Sequence, residues 1–340
     1  MRLVIVTDAW FPQVNGVVRS LKRVVDILTE GGDEVTVIAP ERFSTLPMPT
    51  YPDIRLSVTT KTRVGRMIEA ARPDCIHIAT EGPLGFLARR HCLKTGQRFT
   101  TSYHTKFPEY VRARAPVPLG ALYGMMRWFH NAAAGCMVAT PSLEAELTER
   151  GFRNLMRWSR GVDSHLFHPR AGADLGLPRP VFLNVGRVAV EKNLAAFTSL
   201  DLPGSKVVVG DGPALADLKA RHPDVHFLGA MEGEELAHAY AAADVFVFPS
   251  LTDTFGNVLL EALASGLPVA AYPVTGPSDV IVEPEIGVLS QDLRAAALQC
   301  LDLSGEAARA YATRFSWDAS VQEFRENLVK AQGPDCQLAA

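Results

Sequence analysis

The chain has 340 residues, 47% hydrophobic and 21% charged, a balance that excludes a disordered, collagenous or low-complexity protein and leaves room for two domains with separate cores. The formal net charge of −3 hides an asymmetry: residues 1–170 hold 23 Lys+Arg against 15 Asp+Glu (+8), and residues 171–340 hold 11 against 22 (−11). Neither half reads as a nucleic-acid binder, because the basic half lacks a basic run with interleaved stacking aromatics and the acidic half repels phosphate. The basic half is instead the one expected to meet an anionic surface.

Short apolar, β-branched runs alternate with amphipathic stretches from the N-terminus onward, the pattern of parallel sheets covered on both faces. Residues 3–7 read as a first core strand, since the apolar run is too short for a signal peptide and reaches Asp8 at once. Further strands are expected at 34–39, 75–79, 99–103 and 136–139, with helices between. A polar, Pro/Gly-bearing stretch at 168–180 reads as an interdomain linker. The second series runs 181–185, 206–209, 225–228, 245–248 and 269–272, with helices at 234–242 and 258–264. A helical region at about 304–330 closes the chain, and 333–340 is expected to fray. The fold class is therefore α/β, two Rossmann-like doubly wound domains facing across a cleft, with ligands expected beyond the carboxyl ends of the strands.

Cys75, Cys92, Cys136, Cys300 and Cys336 are scattered, odd in number and without a C-x-x-C pair, so they read as thiols, not as a disulfide framework or zinc site. No apolar run spans about 18 residues, so membrane contact is expected to be peripheral.

Four clusters sit where strands end. In the first, Asp8 precedes a loop that enters a helix through Asn15-Gly16, and helix-start amides favour phosphate. The fingerprint G-x-G-x-x-G is absent from the chain, which counts against a dehydrogenase. In the second, Tyr103 and His104 sit among polar residues; the other eight histidines lack comparable neighbours. In the third, Gly186-Arg187 is followed by Glu191-Lys192, two cations able to straddle a diphosphate, and Gly210-Asp211-Gly212 ends the next strand. The fourth is the most specific. Asp253 and Glu261, with seven residues between them, can reach opposite ends of one ligand, and Phe255, Gly256 and Asn257 present amides between the two carboxylates.

These motifs resemble retaining glycosyltransferase family 4, of the two-Rossmann GT-B fold, over nearly the whole chain. Gly186-Arg187, Glu191-Lys192, Gly210-Asp211-Gly212-Pro213 and the E-x7-E element follow the family's order, with Asp253 in place of the commoner Glu. The Thr252-Asp253-Thr254-Phe255-Gly256 form and Pro273-Val274-Thr275-Gly276-Pro277 resemble a subgroup that glycosylates membrane lipids, including α-mannosyltransferases and diacylglycerol glycosyltransferases. The resemblance implies that Arg187 and Lys192 hold the donor diphosphate, Asp253 the donor sugar and Glu261 the ribose. It adds Gly16, Gly186, Gly210, Phe255, Gly256 and Asn257 as donor contacts. His104 is expected beside the reacting sugar and, with Arg187, Lys192 and Asp253, in catalysis. Asp8, Asn15 and Tyr103 are expected to contact the acceptor, and the nucleobase is expected near Val225–Gly229.

The expected domains are an acceptor-binding domain at 1–168, a nucleotide-sugar-binding domain at 169–315, and a C-terminal helix at 316–340 crossing back to the first. The co-substrate is a nucleotide-diphosphate sugar, UDP-sugar favoured and GDP-mannose the alternative. No D-x-D occurs, so no obligatory metal or other cofactor is expected. The acceptor is expected to be a lipid at an anionic membrane surface, because residues 112–130 mix arginines with large apolar side chains. A core helix explains the same segment through Leu122, Met125, Met126 and Phe129 at i, i+3, i+4 and i+7. The location is then cytoplasmic, peripheral on the inner face of the cell membrane. Competing readings are a glycosyltransferase with a soluble or polysaccharide acceptor and a non-catalytic nucleotide-sugar-binding protein.

Overall fold

The computed structural model describes residues 1–13, 15–48 and 51–333, so Cys336 and the tail expected to fray fall outside the described residues from 334 onward. Two compact units divide the chain: Met1–Ser159 joined by the closing helix Trp317–Gln332, and Arg160–Ser316.

The first unit contains β1 (Arg2–Val6), β2 (Glu34–Ile38), β3 (Ser44–Met48), β4 (Tyr51–Val58), β5 (Cys75–Ile78), β6 (Thr100–Ser102), β7 (Gly135–Val138) and β8 (Leu155–Arg157). Six of them form a parallel sheet in the order β2-β1-β5-β6-β7-β8, while β3 and β4 make a separate antiparallel hairpin. Leu3, Val4, Ile5 and Val6 are all buried because helices cover both faces of the sheet. The hairpin and β8 were not expected from the sequence. Prolines at 47, 49 and 52 mask the hairpin, and β8 is a three-residue edge strand.

The helix Trp317–Gln332 packs on this unit through Val321, Phe324 and Leu328, all buried, with the Phe324 ring 4.7 Å from Trp158 and 5.0 Å from His77. Glu323 accepts from the Ser159 amide and hydroxyl at 2.6 Å, and Arg98 donates to the Ala331 carbonyl at 2.6 Å. Polar anchors near its middle and at its C-terminal end fix the seating of the helix while the apolar stripe supplies the burial.

The second unit contains β9 (Val181–Val185), β10 (Ser205–Val209), β11 (Val225–Gly229), β12 (Val245–Phe248), β13 (Val269–Ala271) and β14 (Gly287–Leu289), in the order β11-β10-β9-β12-β13-β14. Every pairing is parallel. The order reverses between β9 and β12, which makes the carboxyl ends of those two strands the crevice where open α/β sheets take ligands.

Residues 160–168, grouped with the first domain in the sequence reading, are tied to this second unit. The Val162 amide donates to the Phe315 carbonyl at 3.0 Å, and Arg309 donates to the carbonyls of Phe167 (2.6 Å), Ala264 (2.8 Å) and Ser164 (2.8 Å). A segment without regular structure thus finds its backbone partners in an arginine 140 or so residues later, a pairing no local pattern announces.

Candidate functional site

In the second unit the crevice is built from four loops. Asn184, buried in β9, donates its side-chain amide to the Val247 carbonyl of β12 at 2.9 Å and locks the two strands that flank the reversal. Beyond them, Lys192 Nζ lies 2.5 Å from Asp253 Oδ1, joining the loop after β9 to the loop after β12. The same two loops are stitched by Asn193 Nδ2 to the Pro249 carbonyl (3.1 Å) and Thr252 Oγ1 to the Glu191 carbonyl (3.3 Å). Arg187 is half-buried in the first of these loops.

The glycines of this cluster have separate reasons. Gly210 has φ +145°, and a Cβ there would lie 1.8 Å from the Gly186 carbonyl oxygen; at Gly212 it would lie 2.4 Å from that of Val188. The loop after β10 therefore lies directly on the loop after β9, held by the Val188 amide donating to the Asp211 carbonyl at 2.9 Å. Gly186 differs: at φ +154° a Cβ would meet nothing within 4 Å, so the backbone faces open space. Gly276 brings the loop after β13 against the backbone of Asp253 and Phe255, where a Cβ would lie 3.0 Å and 3.1 Å from their carbonyl oxygens.

Gly256, at φ +87°, starts the helix Asn257–Ala264, and no side chain caps it. Its first-turn amides, like those of any helix start, suit an anion. Phe255 is buried beneath this turn. Glu261 lies on the helix and accepts from the Tyr240 hydroxyl at 2.9 Å, a partner 21 residues earlier that sequence reading missed. The expected nucleobase region, β11, is an edge strand whose burial alternates along Val225–Gly229.

In the first unit, the three expected acceptor contacts have their side chains engaged by the scaffold. Asp8 is buried and caps the helix Pro83–Thr95, accepting from the amides of Leu84 (2.9 Å) and Gly85 (3.2 Å) and from Thr80 Oγ1 (3.1 Å). Burial pushes its carboxyl up to about 6, against the pull of those hydrogen bonds. Asn15 caps the helix Gly16–Glu30, its Oδ1 accepting from the Val17 and Val18 amides at 3.0 Å. Tyr103 is fully buried among Tyr123, Met126, Leu143 and Phe152. Gly16 is exposed at the start of its helix, and His104 is half-buried beyond β6, edge-on to Trp158 at 5.6 Å.

His130, passed over in the sequence reading, has a developed environment. Its Nε2 is 2.9 Å from Glu81 Oε1, and its Nδ1 is 2.9 Å from Thr101 Oγ1 and 3.5 Å from Cys136 Sγ. Burial disfavours charge on the ring, but the Cys136 and Glu81 partners outweigh it and raise the pKa. Glu81 is 49 residues away in sequence, so only the fold reveals the pair.

The model for Glycosyltransferase Family 4 matches residues 14–166, and that for Glycosyl transferases group 1 matches residues 179–305. Among curated relatives, a GDP-mannose-dependent alpha-mannosyltransferase of Mycobacterium tuberculosis is 33% identical over 85% of this chain and 83% of its own length. The sulfoquinovosyl transferase SQD2 of Arabidopsis thaliana is 30% identical over 94% of this chain and 72% of its own. An alpha-monoglucosyldiacylglycerol synthase of Streptococcus pneumoniae is 26% identical over 88% and 78%. Among solved structures, the sucrose-phosphate synthase of Thermosynechococcus elongatus superposes with a TM-score of 0.73 at 21% identity, covering 96% of this chain and 98% of that one. Anabaena HepE in complex with UDP-glucose gives 0.71 at 15%, covering 96% and 99%. Two doubly wound parallel sheets, the glycine-spaced loops of the second and relatives matched over most of their length lead to one assignment: the chain belongs to glycosyltransferase family 4, with the GT-B fold.

Proposed function

We propose that this glycosyltransferase moves a hexosyl group from a nucleotide-diphosphate sugar to a hydroxyl of a membrane lipid, with retention of configuration at the transferred carbon. The observation that carries the donor side is the pairing of Lys192 with Asp253 across the strand-order reversal of the second unit. A cation for the diphosphate and a carboxylate for sugar hydroxyls stand side by side there, next to the open backbone of Gly186. Arg187 joins Lys192 on the diphosphate, the amides at Phe255, Gly256 and Asn257 add neutral donors, Gly210 contributes its backbone, Gly16 allows close backbone approach, and Glu261 takes the ribose. His104 is kept as a contact of the reacting sugar.

Breaking the glycosidic bond places negative charge on the departing phosphate and positive charge on the sugar, so preorganised cations and amides lower the barrier. Attack comes from the leaving-group face, and the departing phosphate accepts the proton of the acceptor hydroxyl. The donor expected from the sequence is a UDP-sugar; the Mycobacterium tuberculosis relative supports GDP-mannose beside it. The lipid acceptor is supported by the Streptococcus pneumoniae relative, whose name states a glucosyldiacylglycerol product.

The test is a transfer assay with GDP-mannose, UDP-glucose and UDP-galactose, each with and without diacylglycerol in anionic liposomes and with glycerol as a soluble acceptor. A glycolipid with the donor's anomeric configuration is expected. Transfer to glycerol alone, or an inverted product, overturns the lipid or the retaining part. Lys192→Ala is expected to lower kcat/KM by about 10²–10³, the scale of removing one oxyanion stabiliser; unaltered turnover removes Lys192 from the site.

A further inference from the structure

We propose that Asp253 is the resting counter-ion of Lys192, and that exchanging this partner for donor phosphate makes the site favour a nucleotide sugar over the free nucleoside diphosphate. The inference rests on the donor-site reading above and assigns a selectivity to it.

Two observations meet at Asp253. Its Oδ1 accepts from Lys192 Nζ at 2.5 Å, and its Oδ2 is buried without a hydrogen-bond partner. The carboxylate is largely enclosed, with 15% of its side chain exposed against 24% for Lys192. Breaking a pair by removing one partner is costly because it leaves the other charge buried and uncompensated.

A diphosphate that draws Lys192 onto itself does this to Asp253. A nucleotide sugar repairs the loss, since its sugar hydroxyls donate to both carboxylate oxygens. A nucleoside diphosphate carries no hydroxyl at that position and leaves Asp253 stranded. The pair thus penalises the product more than the donor, and the spent nucleotide leaves more readily once the sugar has gone.

The experiment measures dissociation constants of GDP, UDP, GDP-mannose and UDP-glucose by titration calorimetry for wild type, Asp253→Asn, Asp253→Glu, Lys192→Ala and the double variant Lys192→Ala/Asp253→Asn. Thermal melts check that each variant is folded. Asp253→Asn is expected to bind the free nucleoside diphosphate about tenfold tighter, a step between exposed and buried pair strengths, without tightening the nucleotide sugar. Asp253→Glu keeps the carboxylate and is expected to keep the wild-type preference.

The double variant isolates the exchange. If Asp253 acts through Lys192, removing its charge has little effect once Lys192 is alanine. Equal tightening in both backgrounds means direct repulsion of phosphate and overturns the counter-ion exchange, as does unchanged or weaker nucleoside-diphosphate binding in Asp253→Asn. Nucleotide binding by Lys192→Ala equal to wild type overturns the donor-site reading itself, a separate outcome.

Discussion

Two glycines in the loops after β9 and β10 share one φ region and differ in surroundings, which separates conformational cost from steric cost. Gly186 and Gly210 have φ of +154° and +145°, a region L residues rarely adopt, so alanine at either place carries a similar backbone penalty. At Gly210, however, a new Cβ would lie 1.8 Å from the Gly186 carbonyl oxygen, whereas at Gly186 it meets open space. Overlap with backbone cannot be relieved by a side-chain rotation. Gly210→Ala is therefore expected to destabilise the second unit by about 2 kcal/mol or more beyond Gly186→Ala, as read by urea unfolding. Gly186→Ala is expected to act chiefly on nucleotide affinity. Equal stability losses for the two would show that the loops after β9 and β10 do not touch as described. The spacing of these glycines was visible in the sequence, but their roles were not, because each depends on which strand lies next to which.

At the scale of elements, strands with continuous apolar runs were legible: Leu3 to Val6, Val181 to Val185 and Val245 to Phe248 are buried throughout, as two-sided coverage requires. The three-residue edge strands β8 and β14, and the proline-bearing hairpin, gave no such run. Lys192 and Asp253 were singled out from local motifs, and the structure pairs them, whereas the scaffold partners of Asp8 and Tyr103 were not legible, because polar groups at strand ends look alike whether they face a ligand or a helix end. Asp8 shows the difference. Its oxygens occupy the place of a capping side chain for the helix Pro83–Thr95, whose own N-cap, Gly82, has none; a Cβ on Gly82 would lie 2.3 Å from Asp8 Cγ. The bonding partners are 76 and 77 residues away.

This cap titrates. Burial holds the folded carboxyl near 6, above its ordinary value of 3.8, so the folded state retains a proton that the unfolded state has released between those limits. Raising the pH through that window must then cost stability. Relative to Asp8→Asn, which cannot ionise, wild-type stability is expected to fall by up to about 3 kcal/mol between pH 4 and pH 7. Denaturant midpoints of both proteins across that range give the slope. A difference that stays constant would mean Asp8 ionises in the folded state as an ordinary carboxyl does.

On the whole molecule, charge follows the two units. Counted along them, the first holds 23 Lys+Arg against 18 Asp+Glu (+5) and the second 11 against 19 (−8), so part of the N-terminal excess is offset by the acidic closing helix and tail. The proposed donor site lies in the acidic unit, a placement that relies on a few local cations and not on net charge. Net charge bears on the first unit's surface instead. There the segment 112–130 is neither wholly core nor wholly surface: Tyr123, Met126 and Phe129 are buried, whereas Leu119, Arg127 and Trp128 are exposed, Trp128 by 56%. Arg112 and Arg127 donate to the carbonyls of Val117 (3.3 Å) and Arg150 (2.7 Å), bonds that leave their charge uncancelled, and the Arg89 guanidinium stacks 3.7 Å over Trp128. An exposed indole backed by a buried guanidinium, on a segment that also carries the exposed Arg112 and Arg127, suits the headgroup region of an anionic bilayer. No helix among the described residues is long and apolar enough to cross a membrane. The protein is expected to co-sediment with phosphatidylglycerol liposomes at low ionic strength and to release as salt rises, because attraction over more than about 10 Å is screened at 0.1 M. Arg112→Ala with Arg114→Ala is expected to weaken binding by about 1 kcal/mol per arginine, roughly thirtyfold together, without altering thermal stability. Binding that ignores both salt and these substitutions would place the membrane contact on another surface, and no binding at low salt would leave the basic unit without the anionic partner its charge predicts.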